Sequence, residues 1–247
     1  MTRVLVLIPT FNEAENVAAA IAAVRASAPE AHVLVLDDAS PDGTGGIADS
    51  IATTDPQVSV VHRTTKNGLG AAYLDGFARG LDQGFDVLIE FDADGSHPAS
   101  VIPSLITSVA SPTTGLAIGS RWVSGGSVVD WPRHRTILSR GGNAYARMML
   151  GIPVRDSTAG FRAYRADCLR ALDLTSVKTK GYGFQVDMTR RVISAGFGIV
   201  EIPIEFRERT HGQSKMSGAI IIEAMWMVTL WGLRRPFAYL QRALSRG

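Results

Sequence analysis

A chain of 247 residues that is 46% hydrophobic and 19% charged suits one large globular domain and is too apolar for disorder. Its one cysteine, Cys168, excludes an internal disulfide and a cysteine-cluster metal site. The net charge of +2 is unevenly spread: Arg121 to Arg147 and Pro203 to Gly247 each carry +4, which leaves −6 for the remainder. An acidic first half and two basic later segments suggest a metal site facing an anion-handling site. Nucleic acid is excluded as the preferred partner, because no recognition motif is present and the basic residues are scattered among structured segments.

Met1-Thr2-Arg3 leads into Val4 to Ile8, an apolar run too short for a secretory signal and cut by Pro9, so a cytosolic protein is expected. That run and Val33 to Leu36 have the continuous apolar pattern of strands buried on both faces. Between them Val17, Ile21 and Val24 predict a helix that ends before Pro29, with Thr10 and Glu13 at capping-box spacing. Next come a helix carrying Ile47 and Ile51, a strand over Val58 to Val61, a helix over Leu69 to Leu81 and a strand over Val87 to Phe91. Such alternation predicts a parallel sheet with right-handed crossovers, whose ligands bind beyond the carboxyl ends of the strands. Pro9 to Glu13, Asp37 to Asp42 and Asp92 to His97 all fall there.

The second half is less regular. It predicts a strand over Leu116 to Gly119, helices over Ser139 to Leu150, Arg162 to Leu172 and Gln185 to Ala195, and an extended segment from Ile199 to Phe206. Without a repeat or linker, the reading is one domain over residues 1–217 and a C-terminal appendage over 218–247. Ala219 to Leu233 is 15 residues long and nearly all apolar, and Arg234-Arg235-Pro236 follows. As a helix it would reach only about 22 Å, short of the ~30 Å hydrocarbon core. A helix resting on the bilayer surface, with Trp226 and Trp231 at the interface, is preferred over an ordinary buried helix.

Asp92-Ala93-Asp94 carries the sharpest chemistry. Alternate residues on an extended backbone share a face, so Asp92 and Asp94 can hold one cation. Mg²⁺ or Mn²⁺ would suit, since both take oxygen ligands and leave positions for substrate phosphates. The plainer reading is a turn whose aspartates cap the next helix. After the second strand, a carboxylate of Asp37-Asp38 could accept from a base edge or ribose, while Ser40 or Asp42 could cap the helix. Gly43 to Ala48 resembles a dinucleotide fingerprint in spacing but follows the wrong strand. The glycine-rich stretch Lys66 to Tyr73 opens a helix and could hold substrate or be a plain turn. No Walker A sequence is present, which excludes a P-loop ATPase. Arg121, then Arg135 and Ser139 one helical turn apart, suit phosphate oxygens; so do Arg207, Arg209 and Lys215. Together they predict an electropositive pocket for a phosphate and a leaving pyrophosphate.

Pro9-Thr10-Phe11-Asn12-Glu13, Asp37-Asp38 with Ser40 to Thr44, and Asp92-Ala93-Asp94 resemble family 2 glycosyltransferases with the nucleotide-sugar-binding GT-A fold. Gly68-Leu69-Gly70, Gly119-Ser120-Arg121, Leu138 to Asn143, Asp156 to Arg162, Gly181 to Gln185 and Gly212 to Met216 narrow the resemblance. The set is similar to dolichol- or polyprenol-phosphate mannose synthases. Val129 to Pro132 and Gly151 to Asp156 look most like the actinobacterial members.

The resemblance implies a single Rossmann-like α/β domain with a mainly parallel sheet flanked by helices, plus the C-terminal apolar helix. It implies metal-dependent, inverting transfer of mannose from GDP-mannose to a polyprenyl monophosphate. Pro9, Phe11, Glu13 and Asp38 would hold guanosine; Asp92, Ala93 and Asp94 would form the cation and diphosphate site. Arg121, Arg135, Ser139, Arg209 and Lys215 would handle phosphates; of these Arg121, Arg135, Ser139 and Arg209 join Asp94 as the implied catalytic set. Some members place a glutamine, a metal ligand, where this chain has Ser96. The implied place is the inner face of the cell membrane, reached by surface contact or through an integral membrane partner. The rival readings are transfer of glucose or another sugar to the same lipid, a nucleotidyltransferase, or a non-catalytic membrane-associated partner. The nucleotidyltransferase would need a basic glycine-rich loop after the first strand, where Pro9 to Glu13 is acidic.

Overall fold

The first four strands form where the apolar runs predict them: β1 (Val4–Thr10), β2 (His32–Asp37), β3 (Val58–His62) and β4 (Val87–Glu90). The computed structural model describes residues 2–179, 181–208 and 222–233. β5 (Thr114–Ser120), β7 (Arg162–Arg165) and β8 (Gly198–Pro203) complete a seven-stranded sheet in the order β3-β2-β1-β4-β7-β5-β8. Only β7 runs antiparallel to its neighbours. β6 (Ser127–Val129) pairs separately with β9 (Glu205–Arg207).

Period-two alternation explains why both sheet faces are buried. Val4, Val6 and Ile8 of β1 point to one core, against Val17, Ile21 and Val24 of α1 (Val17–Ser27) and Ile102 and Leu105 of α4 (Ile102–Val109). α2 (Thr44–Ala52) packs on the same side through Ala48. Leu5 and Leu7 point to the other core, against Tyr73 and Phe77 of α3 (Leu69–Asp82). There they meet Leu169 of α6 (Ala166–Ala171) and Phe184 and Met188 of α7 (Gly181–Ser194).

Three expectations are corrected. Arg162 to Leu172 is not one helix but strand β7 followed by α6. The strand is set by its place between β4 and β5, with Ala163 facing one core and Tyr164 the other. The buried Arg162 is satisfied by the carbonyls of Ala159, Ser157 and Gln185 at 2.6, 2.7 and 2.9 Å. The capping box does not form, because Thr10 still belongs to β1 and its hydroxyl donates to Asp37 Oδ1 at 3.0 Å. Instead the Glu13 carbonyl accepts from Asn16 and Val17 at 2.9 and 2.8 Å at the start of α1. Finally, α5 (Arg133–Leu150) begins six residues before the expected Ser139, after Pro132.

The expected boundary between 217 and 218 lies outside the described residues. Residues 222–233 are helical and dock on α5 and α7: Val228 is buried with Ala146, Leu150 and Val186. The Tyr145 and Thr229 hydroxyls lie 2.6 Å apart. Trp226 is 61% exposed. Trp231 instead carries the Arg190 guanidinium at 5.0 Å, so only one tryptophan faces outward freely. Among the described residues no helix is long and apolar enough to cross a membrane.

Candidate active site

The three acidic loops meet beyond the carboxyl ends of β1, β2 and β4. They line a cleft of about 510 Å³ that includes Pro9, Phe11, Glu13, Asp38, Asp92, Ala93 and Asp94, together with Arg121 and Arg135. The structure therefore brings together nine of the residues singled out from sequence. Ser139 lines a neighbouring groove instead. Arg209 and Lys215 lie outside the described residues.

On the nucleoside side, Asp37 ties the loops together. Its Oδ1 accepts from Thr10 at 3.0 Å and from the Ser40 hydroxyl at 2.5 Å, and Ser40 Oγ accepts the Asn12 N–H at 3.0 Å. Asn12 (φ 57) and Ala39 (φ 56) both hold left-handed backbone, an uncommon conformation that the surrounding bonds maintain. Asp42, not Ser40, serves α2, accepting from the Thr44 N–H and hydroxyl at 3.1 and 2.6 Å. Asp38 is paired with Arg63. Burial pushes its carboxyl above the usual carboxylate range, and Arg63 opposes that shift. The Phe11 ring carries the Lys66 ammonium 3.7 Å from its centroid, giving this end of the cleft an aromatic floor beside a cation.

The Asp92/Asp94 pair reaches the cleft by a different route from the one the spacing suggested. β4 ends at Glu90, so the aspartates belong to a turn and not to an extended strand. Gly95 (φ 74) permits that turn, and Asp94 Oδ1 accepts the Ser96 N–H at 3.1 Å. Both carboxylates line the cleft, and Ser96 Oγ beside them is buried without a hydrogen-bond partner. No group of three or more His, Cys, Asp or Glu able to hold an ion occurs among the described residues. Two carboxylates and a hydroxyl fit Mg²⁺ or Mn²⁺, which complete their shells with substrate phosphates and water.

Arg121 lines the cleft from a fixed position. It is 5% exposed, and its Nε and Nη2 bind both oxygens of Asp156 at 2.8 and 2.6 Å, with Thr158 Oγ1 at 3.0 Å. A guanidinium gripped in this bidentate way is fixed in orientation at the cleft wall. Arg135 also lines the cleft. Its guanidinium lies 4.2 Å over the Trp131 ring and pairs with Glu208.

Sequence reasoning missed Trp131, Tyr182 and Gln185 as cleft walls. It also missed the groove that joins the cleft. This second cavity, about 370 Å³, runs between α5, α7 and helix 222–233 and is walled by Leu138, Tyr145, Ala146, Val186, Met225 and Val228. Trp131, Arg135, Thr158 and Tyr182 line both cavities, so a polar cleft and an apolar groove meet at Arg135. The prior signal for it was the apolar run of Ala219 to Leu233, which supplies Met225 and Val228 to its wall.

The sequence model of the family described as glycosyl transferase family 2 matches residues 5–173. The chain is a family 2 glycosyltransferase. Among relatives of this glycosyltransferase, the undecaprenyl-phosphate mannosyltransferase of Micrococcus luteus is 55% identical over 243 residues, covering 98% of this chain and 99% of that protein. Polyprenol monophosphomannose synthase of Mycolicibacterium smegmatis is 52% identical over 233 residues, covering 94% and 88%. The fold also matches the mannosyltransferase of Pyrobaculum calidifontis, solved in complex with GDP-Man and Mn²⁺. That match has a TM-score of 0.57 at 17% identity and covers 99% of this chain and 76% of that one.

Proposed function

We propose that this glycosyltransferase moves mannose from GDP-mannose to a polyprenyl monophosphate, giving polyprenyl-phosphate mannose and GDP. One observation carries the reading: a polar, acid-lined cleft opens at Arg135 into an apolar groove. A nucleotide sugar needs the first and an isoprenoid needs the second, and the acceptor phosphate would then sit between them. The two actinobacterial relatives, named for transfer of mannose to polyprenyl phosphate, support the same pairing.

The chemistry follows from charge. A phosphate monoester has its second pKa near ~6, so the acceptor is already an anionic nucleophile at neutral pH. No general base is required. The chain's task is to hold that oxygen in line with the anomeric carbon and to neutralise the departing diphosphate. Arg135, braced on Trp131, would hold the acceptor phosphate at the groove mouth. Phe11, Glu13 and Asp38 would seat guanosine, and Arg209, Lys215 and Ser139 are further proposed phosphate ligands. Asp92 and Asp94 would hold the cation, which supplies Lewis-acid stabilisation of the diphosphate when bound. Displacement from the opposite face inverts the anomeric centre.

The groove also opens where apolar side chains face out: Ile137 is 71% exposed, Leu138 47%, Ile222 70% and Trp226 61%. Arg133 and Arg140 on α5 flank them. This face would rest on the cytoplasmic surface of the membrane, where an isoprenoid can slide from the bilayer into the groove. An integral membrane partner would use the same surface.

Donor choice tests the reading. The protein is incubated with polyprenyl phosphate vesicles and GDP-mannose, GDP-glucose, UDP-glucose or UDP-galactose, each labelled in the sugar. Label from GDP-mannose alone should extract into organic solvent; extraction of label from UDP-glucose instead would replace mannose by glucose in the assignment.

A further inference from the structure

Both oxygens of Asp92 are gripped from inside the protein. The Tyr73 hydroxyl donates to Oδ1 at 3.1 Å, and His97 Nε2 lies 3.3 Å from Oδ2. Neither residue has a role in the reading above. Tyr73 is fully buried, stacked between Phe77 and Phe184 with ring centroids 6.3 and 6.4 Å away.

His97 is equally fixed. Its side chain is 3% exposed, stacked on Phe161 at 5.2 Å and edge-on to Phe206 at 5.5 Å. Its Nδ1 is buried without a partner. A buried N–H left unpaired costs about 1–3 kcal/mol, so the favoured neutral tautomer carries its proton on Nε2, where Asp92 accepts it. Gly160 leaves the space beside this contact open: a Cβ there would stand 3.5 Å from Asp92 Oδ2 and 3.8 Å from His97 Nε2. Asp94 Oδ1 accepts the backbone N–H of Ser96 in its own turn.

We propose that Tyr73 and His97 are positioning residues that fix the Asp92 carboxylate so that it takes a divalent cation together with the donor diphosphate. This rests on the cleft being the cation and diphosphate site. A carboxylate free to rotate would meet the cation with one oxygen misdirected, and loss of such supporting hydrogen bonds costs metal sites about 10–100-fold in affinity. The turn after β4 supplies no strand geometry to do this work, which is why side chains from α3 and the turn itself supply it.

The test is Mn²⁺ binding in the presence of GDP, followed by electron paramagnetic resonance on the full chain. The variants are Tyr73→Phe, His97→Phe, His97→Gln and Asp94→Ala. Tyr73→Phe and His97→Phe keep the aromatic packing and should each raise the Mn²⁺ Kd about tenfold, with GDP binding in chelator and Tm close to wild type. His97→Gln restores an N–H near the Nε2 position and should recover most of the affinity. Wild-type Mn²⁺ affinity in both phenylalanine variants would overturn the proposal. So would equal losses in His97→Phe and His97→Gln with Tyr73→Phe unaffected, since ring packing would then be the cause. Asp94→Ala separates the two levels: if it too binds Mn²⁺ normally, the cation lies elsewhere and the cleft reading fails with the proposal.

Discussion

Replacing Glu90 by glutamine should remove most of the protein's loss of stability toward alkaline pH. Glu90 ends β4, is fully buried, and accepts the Gln185 side-chain N–H at 2.7 Å; its other oxygen has no partner. Arg162 lies close enough to act on it but gives its hydrogen bonds to Ala159, Tyr164, Gln185, Thr189 and Ser157. Burial therefore dominates, and against the pull of Arg162 and Gln185 it raises the carboxyl from 4.5 to about 8. Between those values the folded chain keeps a proton that the unfolded chain releases, so stability falls as pH rises through the window and levels off above it. The slope is at most ~1.4 kcal/mol per pH unit, or about 5 kcal/mol across the window. For a chain of this size that is on the order of 10 °C in Tm. Glutamine has the shape of the protonated acid and no charge to expose. Thermal unfolding of both proteins, from about pH 5 to about pH 9, should give a wild-type Tm that falls relative to Glu90→Gln and then runs parallel to it. Parallel curves throughout would mean that Glu90 is not held neutral, and that Gln185 is not kept in the cleft wall by an uncharged partner.

Two further outcomes probe the acceptor side. On the proposed reading Arg135→Ala would remove a charged donor to the acceptor phosphate, a loss of about 1.5–3 kcal/mol, so kcat/KM for polyprenyl phosphate should fall about 10–100-fold with donor KM nearly unchanged. Steady-state kinetics varying each substrate separately checks it, and an equal rise in donor KM would contradict the placement. Leu138→Asp puts a charge on an exposed groove wall, where it should leave folding intact. Burying a leucine-sized contact contributes about 1.5–3 kcal/mol, so affinity for a long isoprenoid should drop roughly tenfold or more while a short-chain phosphate is affected less. Equal losses for both lengths would place the lipid tail outside the groove.

The sheet was legible because β1, β2 and β4 bury both faces, and continuous apolar runs such as Val4 to Ile8 admit few other readings. β7 was not, because Arg162-Ala163-Tyr164-Arg165 has no apolar run; its strand state comes from the gap between β4 and β5 and from carbonyls gathered around Arg162. The acidic loops were placed correctly by the rule that ligands lie beyond strand ends, although Asp92 and Asp94 reach the cleft after β4 has ended and not through strand alternation. Arg121 shows the opposite limit. Its type and position suit phosphate, and Asp156, 35 residues away, holds its Nε and Nη2; such a partner leaves no local trace. The groove was invisible for the same reason, since its walls come from three helices that only the fold assembles.

The most direct measurement is transfer of labelled mannose from GDP-mannose into an organic extract, comparing polyprenyl phosphate with polyprenyl alcohol, each with Mn²⁺ or with chelator. Label should enter lipid only with the phosphate and Mn²⁺ together, and Asp94→Ala should abolish it. Transfer to the alcohol, or full transfer by Asp94→Ala in chelator, would contradict an anionic acceptor seated at Arg135 opposite a carboxylate-held cation.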